Sequence, residues 1–190
     1  MAKLYFYYAS MNAGKSSTLL QAAFNYGERG MAVMLWTAAL DNRPGFGAIS
    51  SRIGLASDAH RFDAETPIGR LTLAQHQAAP IACVLVDEAQ FLSADQVWQL
   101  AALADDHDIP VLCYGLRTDF QGALFPGSVV LLGIADSLVE LKAVCECGRK
   151  ATMNLRVDAD GRAVLAGAQT EVGGNDRYVA LCRRHFVAAR

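Results

Sequence analysis

The stretch Tyr7–Thr18, YYASMNAGKSST, decides how the rest of the chain is read. It comes within one letter of the phosphate-loop pattern G-x-x-x-x-G-K-[ST]. Gly14, Lys15 and Ser16 stand in place, but the opening position is Ala9. In such a loop successive backbone N–H groups wrap the β-phosphate, and the helix that follows offers its positive end to the anion. Lys15 would bridge the β- and γ-phosphates, and the Ser16 hydroxyl would sit on Mg²⁺. The glycine beside the lysine matters most, because the backbone must come close there. Ala9 adds only a methyl, which is tolerable if its dihedrals are not left-handed. A chance Gly-Lys-Ser turn is the plain alternative, and the flanking sequence argues against it.

Upstream, KLYFYY (Lys3–Tyr8) suits a buried strand. Downstream, Leu19, Leu20, Ala23, Phe24 and Tyr26 fall at helical spacing, with an end near Gly27–Gly30. MAVMLWT (Met31–Thr37) reads as the next buried strand, so the chain opens strand, loop, helix, strand. That is the start of an α/β fold with a parallel sheet flanked by helices, of the P-loop NTPase kind. Asp41–Asp58, rich in Gly and Ser, is expected to be a long loop. A helix follows over Ile68–Ala78, a strand over Ile81–Asp87, a helix capped by Ser93, a strand over Ile109–Leu116, and SVVLLGIAD (Ser128–Asp136) closes the block. From Lys142 the texture changes to short alternating runs with Gly turns. We expect an α/β domain over residues 1–141 and a small domain of β-hairpin character over residues 142–190.

Bulk properties narrow the function classes. With 190 residues, 53% of them hydrophobic, the chain can bury a real core. A net charge of −2 with 19% charged residues gives no sign of a nucleic-acid-coating protein. The N-terminus lacks the features of a signal peptide, and no run reaches a membrane span, so a cytoplasmic protein is expected. Cytosolic thiols stay reduced, which makes clustered cysteines suggest metal before disulfides.

Two further constellations carry chemistry. VLVDEAQF puts Asp87 at the end of a buried strand, where an acid is costly unless it faces solvent or a metal. In phosphate-loop proteins this acid holds Mg²⁺. Side-chain alternation is expected to point Glu88 the other way, free to take a proton from an attacking hydroxyl. A solvated Asp-Glu pair at a helix start would be preferred if the loop were absent. In the small domain, Cys145-x-Cys147 and Cys182-x-x-His185 form a plausible tetrahedral Zn²⁺ set of the structural kind, although one spacer residue is shorter than the usual two to four. A region too thin to build much core would draw folding energy from the metal. Cys83 and Cys113 sit in apolar runs and are expected to be core thiols. His60, His76 and His107 have no comparable partners and read as surface or packing residues.

The order and spacing of YFYYASMNAGKSS, ISSRIGL, CVLVDEAQFL, IPVLCYGLRTDF and GGNDRYVALCRRH resemble the type II thymidine kinases over essentially the whole chain. The resemblance is closest to the bacterial members. It implies transfer of the γ-phosphate of ATP, with Mg²⁺, to the 5′-hydroxyl of thymidine, with deoxyuridine also accepted. It also implies a homotetramer and feedback inhibition by dTTP, with no nucleic-acid or membrane partner. Matching positions would put Ala9, Ser10, Met11, Asn12, Ala13, Gly14, Lys15 and Ser16 on the ATP phosphates, joined by Arg43, Asp87, Glu88, Ala89 and Gln90. Ser16 and Asp87 would serve Mg²⁺, and Glu88 would be the catalytic base. Met11, Phe91, Leu116 and Phe120 would surround the thymine ring. A lasso from Thr170 through Glu171, Val172 and Gly173 to Tyr178 would read the base edge. Cys145, Cys147, Cys182 and His185 match the family's zinc ligands. Ala9 is a form that bacterial members commonly show, Ala89 stands where the family often has glycine, and the first cysteine pair is one spacer residue shorter than in many members.

The rival readings are another P-loop nucleoside or nucleotide kinase with a structural zinc site, a nucleic-acid ATPase suggested by the spelling DEAQ, and a zinc module with a vestigial nucleotide site. A monophosphate kinase would need an arginine-rich lid, and the arginines here are scattered. A chain this short has no room for a second motor domain.

Overall fold

A computed structural model describes residues 1–39, 47–170 and 177–190. Strand β1 (Leu4–Ala9) runs into the Tyr7–Thr18 loop and helix α1 (Lys15–Gly27), followed by β2 (Val33–Ala38). Then come β3 (Ala48–Ser50), β4 (Ala56–Asp58), β5 (His60–Phe62), α2 (Ile68–Ala78) and β6 (Cys83–Val86). A single 3-10 turn over Ala89–Phe91 leads to α3 (Ala94–His107), β7 (Val111–Leu116), α4 (Pro126–Ile134) and β8 (Ser137–Glu140). Six strands form one sheet in the order β5-β2-β6-β7-β1-β8, and each neighbouring pair runs parallel.

Alternation along the strands divides the core between the two faces of the sheet. Leu4, Phe6, Met34, Trp36, Val84, Val86, Val111 and Cys113 pack on one face with residues of α2, α3 and α4. Tyr5, Tyr7, Leu35, Cys83, Leu85, Leu112 and Tyr114 lie on the other, covered by Leu19 and Leu20 of α1 and by Ile49 of β3. Cys83 and Cys113 are fully buried core thiols, as their apolar runs suggest. Helix α3 starts with a reciprocal capping box. Gln96 N donates to Ser93 Oγ and Ser93 N donates to Gln96 Oε1.

Two local expectations are corrected. The segment expected as one long loop to Asp58 contains an antiparallel hairpin, β3 against β4, with Ile49↔Ser57 in register. Burial of Ile49 on the α1 face drives it, a long-range reward that Gly- and Ser-rich sequence hides. The block also does not close at Asp136. Residues Pro126–Ile134 are a helix, and β8 follows it as a parallel edge strand beside β1.

Past β8 the chain forms two short antiparallel pairs, β9 (Ala143–Val144) with β10 (Lys150–Ala151) and β11 (Met153–Arg156) with β12 (Tyr178–Leu181), and ends in α5 (Arg183–Ala188). A small core of Ala143, Cys145, Ala151, Leu155, Leu181, Cys182 and Phe186 holds them, and Ala13 of the loop packs against it. Among the described residues no helix is long and apolar enough to cross a membrane.

Candidate active site and metal centre

Ala9 is the last residue of β1, paired with Leu116, so its backbone is extended and the missing glycine costs nothing there. The left-handed positions are Asn12 (φ 64°) and Gly14 (φ 78°). Asn tolerates that region better than most side chains, a local signal the pattern reading passed over. Gly14 caps α1, whose first residue is Lys15. The Lys15 Nζ donates to Ser10 O at 3.1 Å, while the Ser16 hydroxyl donates to Asp87 Oδ2 at 2.8 Å. The loop and the strand-end acid thus meet side chain to side chain across 71 residues of sequence.

Asp87 is almost completely buried. Burial first, then the neighbouring Glu88 carboxylate, push its pKa up to about 7, against the stabilising bonds from Ser16 and the Glu88 N–H. Burial lowers Lys15, and the Glu88 and Asp87 charges oppose that shift. The alternation expected to send Glu88 away from Asp87 does not apply at this point of the chain. The strand ends at Val86, and Glu88 adopts a left-handed φ of 53°, so strand geometry no longer governs where its side chain goes.

Glu88 Oε2 accepts from Gln90 Nε2 at 2.6 Å, and Gln90 Oε1 accepts from Leu116 N at 3.0 Å. Gln90 therefore ties the acid to the end of β7. The 3-10 turn carrying Ala89 and Gln90 is pressed onto α4 at Gly127. A Cβ there would stand 2.5 Å from Ala89 O and 2.9 Å from Leu92 O, so only glycine fits.

Phe91 is half-buried and meets Phe125 edge to face with ring centroids 5.7 Å apart. Phe120 is buried, with the Arg156 guanidinium 3.8 Å from its ring centre. Arg156, itself buried, donates to Tyr178 Oη (2.9 Å), Ala168 O (3.0 Å) and Gln169 O (3.2 Å). It grips both sides of the segment expected as a lasso, a role no sequence pattern pointed to. Met11 and Leu116 are half-buried, Thr170 is exposed, and Tyr178 opens β12. Arg43, Glu171, Val172 and Gly173 lie outside the described residues.

The ligand atoms of Cys145, Cys147, Cys182 and His185 lie within 4.8 Å of one another. Cys145 Sγ is 3.4 Å from His185 Nδ1, and Cys147 Sγ is 3.9 Å from Cys182 Sγ. Tetrahedral zinc with its usual bond lengths requires S···S and S···N spacings of about 3.6–3.8 Å, so the donor set fits the ion. One spacer residue suffices because the first pair sits in a tight turn between β9 and β10. Cys145 N donates to Arg149 O, and Gly148 N donates to Cys145 O, each at 2.8 Å. The second pair fits because Cys182 caps α5 and His185 lies in its first turn. Backbone N–H groups of Cys147 and then Cys182 pull the Cys145 thiol down to about 6, favouring the thiolate that binds metal. This Cys3His cluster can hold a structural metal ion such as zinc.

The family model described as thymidine kinase matches residues 2–186. The chain is 75% identical over 189 residues to a thymidine kinase of Novosphingobium aromaticivorans, covering 100% of this chain and 98% of that one. It is 60% identical to the Zymomonas mobilis thymidine kinase, with 98% and 97% covered. It is 57% identical to the thymidine kinase of Vibrio cholerae, with 100% and 98% covered. Matched over nearly its whole length by the family model and by relatives covered end to end, the chain belongs to the thymidine kinase family.

Proposed function

We propose that the protein phosphorylates the 5′-hydroxyl of thymidine, and of deoxyuridine, with the γ-phosphate of ATP. The observation that carries this reading is the Ser16–Asp87 contact at 2.8 Å, in the first turn of the helix that Lys15 opens. The relatives' names supply the acceptor.

In this reading the backbone of Ala9–Ser16 wraps the ATP phosphates, joined by Arg43 and the Asp87–Gln90 segment, and Lys15 balances the charge on the β- and γ-phosphates. Magnesium, when bound, neutralises charge on the same phosphates, and Ser16 and Asp87 would hold it. Glu88 takes the proton as the 5′-oxygen bonds to the γ-phosphorus. The bond from that phosphorus to the β–γ bridging oxygen breaks, and ADP leaves. Gln90 keeps the Glu88 carboxylate in place. Met11, Phe91, Leu116 and Phe120 form the apolar surroundings of the pyrimidine, and the segment from Thr170 through Glu171, Val172 and Gly173 to Tyr178 reads its edge. A 5-methyl group adds only about 1–3 kcal/mol, so deoxyuridine is discriminated weakly.

The same reading includes residues 1–141 as the kinase domain and 142–190 as the zinc and lasso domain, a homotetramer, inhibition by dTTP, and a cytoplasmic site of action. The test is ADP formation from Mg-ATP with thymidine, with thymidylate and with single-stranded DNA, paired with metal analysis of the purified chain. Thymidine-dependent turnover supports the proposal. Turnover with thymidylate alone would instead make the protein a nucleotide kinase, and DNA-dependent turnover would make it a nucleic-acid ATPase.

A further inference from the structure

Three successive contacts join the phosphate loop to the hairpins that carry the Cys3His cluster. The Ser10 hydroxyl donates to Ala151 O at 3.4 Å, and Ala13 packs against the small core around Cys145 and Cys182. Between them, Asn154 of β11 is 2% exposed and uses both ends of its amide. Its Oδ1 accepts from Met11 N at 2.7 Å, and its Nδ2 donates to Thr118 O at 3.0 Å. These partners lie 143 and 36 residues away in sequence, in the loop and just beyond β7. A buried amide satisfied at both ends is a rigid strut, because releasing either end strands a polar group away from water. Asn154 also pairs across to Ala180 in β12, the strand that leads directly to Cys182 and α5.

We propose that Asn154 is a positioning residue for nucleotide binding. By engaging the Met11 N–H it fixes the direction of that peptide, and with it the left-handed turns at Asn12 and Gly14 that shape the loop. The four-ligand cluster, by ordering β11 and β12, thereby acts on the shape of the phosphate loop as well as on the fold around itself. The proposal rests on the reading of Tyr7–Thr18 as a nucleotide loop, but not on thymidine as the acceptor.

The test uses the full chain loaded with zinc and measures the Kd of a fluorescent ATP analogue with Mg²⁺, without thymidine. Metal content and thermal melting are recorded alongside. Asn154→Leu removes both hydrogen bonds at similar volume, and Kd is expected to rise roughly tenfold, with metal content unchanged. Asn154→Ser is smaller, stays polar and is too short to span both partners, and its Kd is expected to rise about threefold. Where the Leu variant does not fold, the Ser variant carries the test. A lowered melting temperature with Kd within twofold of wild type in the folded variants would overturn the proposal, since a merely structural residue gives that result. A wild-type chain that binds the analogue but leaves thymidine untouched defeats only the acceptor assignment, and the Kd comparison still stands. A wild-type chain that binds no nucleotide defeats both.

Discussion

The parallel-sheet region and the hairpins that carry the Cys3His cluster face the same problem with different means. The sheet buries whole strands: Cys83, Val84, Leu85 and Val86 of β6 are all fully inaccessible. Helices cover both its faces, and the hydrophobic effect suffices there. Among the described residues the hairpins have two-stranded ladders and seven buried core residues, two of which are cysteines of the four-residue cluster. A region that small gains little from burial, and a metal held by the Cys3His cluster would supply the difference. The functional groups divide accordingly. Loop and acids sit at the rim of the sheet with Met11, Phe91, Leu116 and Phe120, which are proposed to surround the base, while the segment proposed to read its edge is carried by the hairpins.

That contrast can be broken experimentally. The largest effect is expected from Cys182→Ser or from chelation. Zinc is lost by metal analysis, and amide protection collapses over residues 143–157 and 178–188 while β1, β6 and β7 stay protected. Structural zinc sites contribute about 10–16 kcal/mol of apparent binding energy in isolated peptides, so a hairpin region that keeps its protection without metal would end the comparison.

Glu88→Gln is next. It removes the proposed base but leaves the phosphate loop intact, so kcat should fall by about 10²–10⁴ with the Kd for ATP within about twofold. Near-normal turnover would show that another group takes the proton. Leu85→Ala tests the sheet side. It should cost about 2–5 kcal/mol in denaturant titration, with zinc content unchanged. A loss below about 1 kcal/mol would mean that the sheet core collapses around the vacancy far better than its packing suggests. Ser93→Ala is the smallest, at about 1 kcal/mol from the lost cap, with kinetics unaltered.

Legibility in the sequence follows the range of the interactions. The strand–loop–helix start, the buried strands and the Ser93 cap rest on neighbours within a few residues, and the structure matches the reading at each. The four ligands could be read because cysteine and histidine are scarce and chemically marked. Failures arose where a distant partner decides. The β3–β4 hairpin forms because Ile49 finds the α1 face, and β8 forms because β1 offers it an edge. Glu88 defeated the alternation rule because the strand had already ended at Val86. Asn154 and Arg156 carry no local pattern at all. Their importance appears only when Met11, Phe120 and Tyr178 arrive beside them.

The left-handed backbone of Glu88 has an implication for how such a protein would respond to selection. A long side chain at φ 53° holds a conformation that costs about 1–3 kcal/mol and that glycine adopts freely. Glu88→Gly therefore relieves strain while deleting the acid. With Glu88 as the proposed base, a screen that rewards heat resistance alone would enrich this change and return a protein without turnover. On that proposal stability and turnover conflict at Glu88, and a programme of thermostabilisation would hold position 88 fixed from the outset.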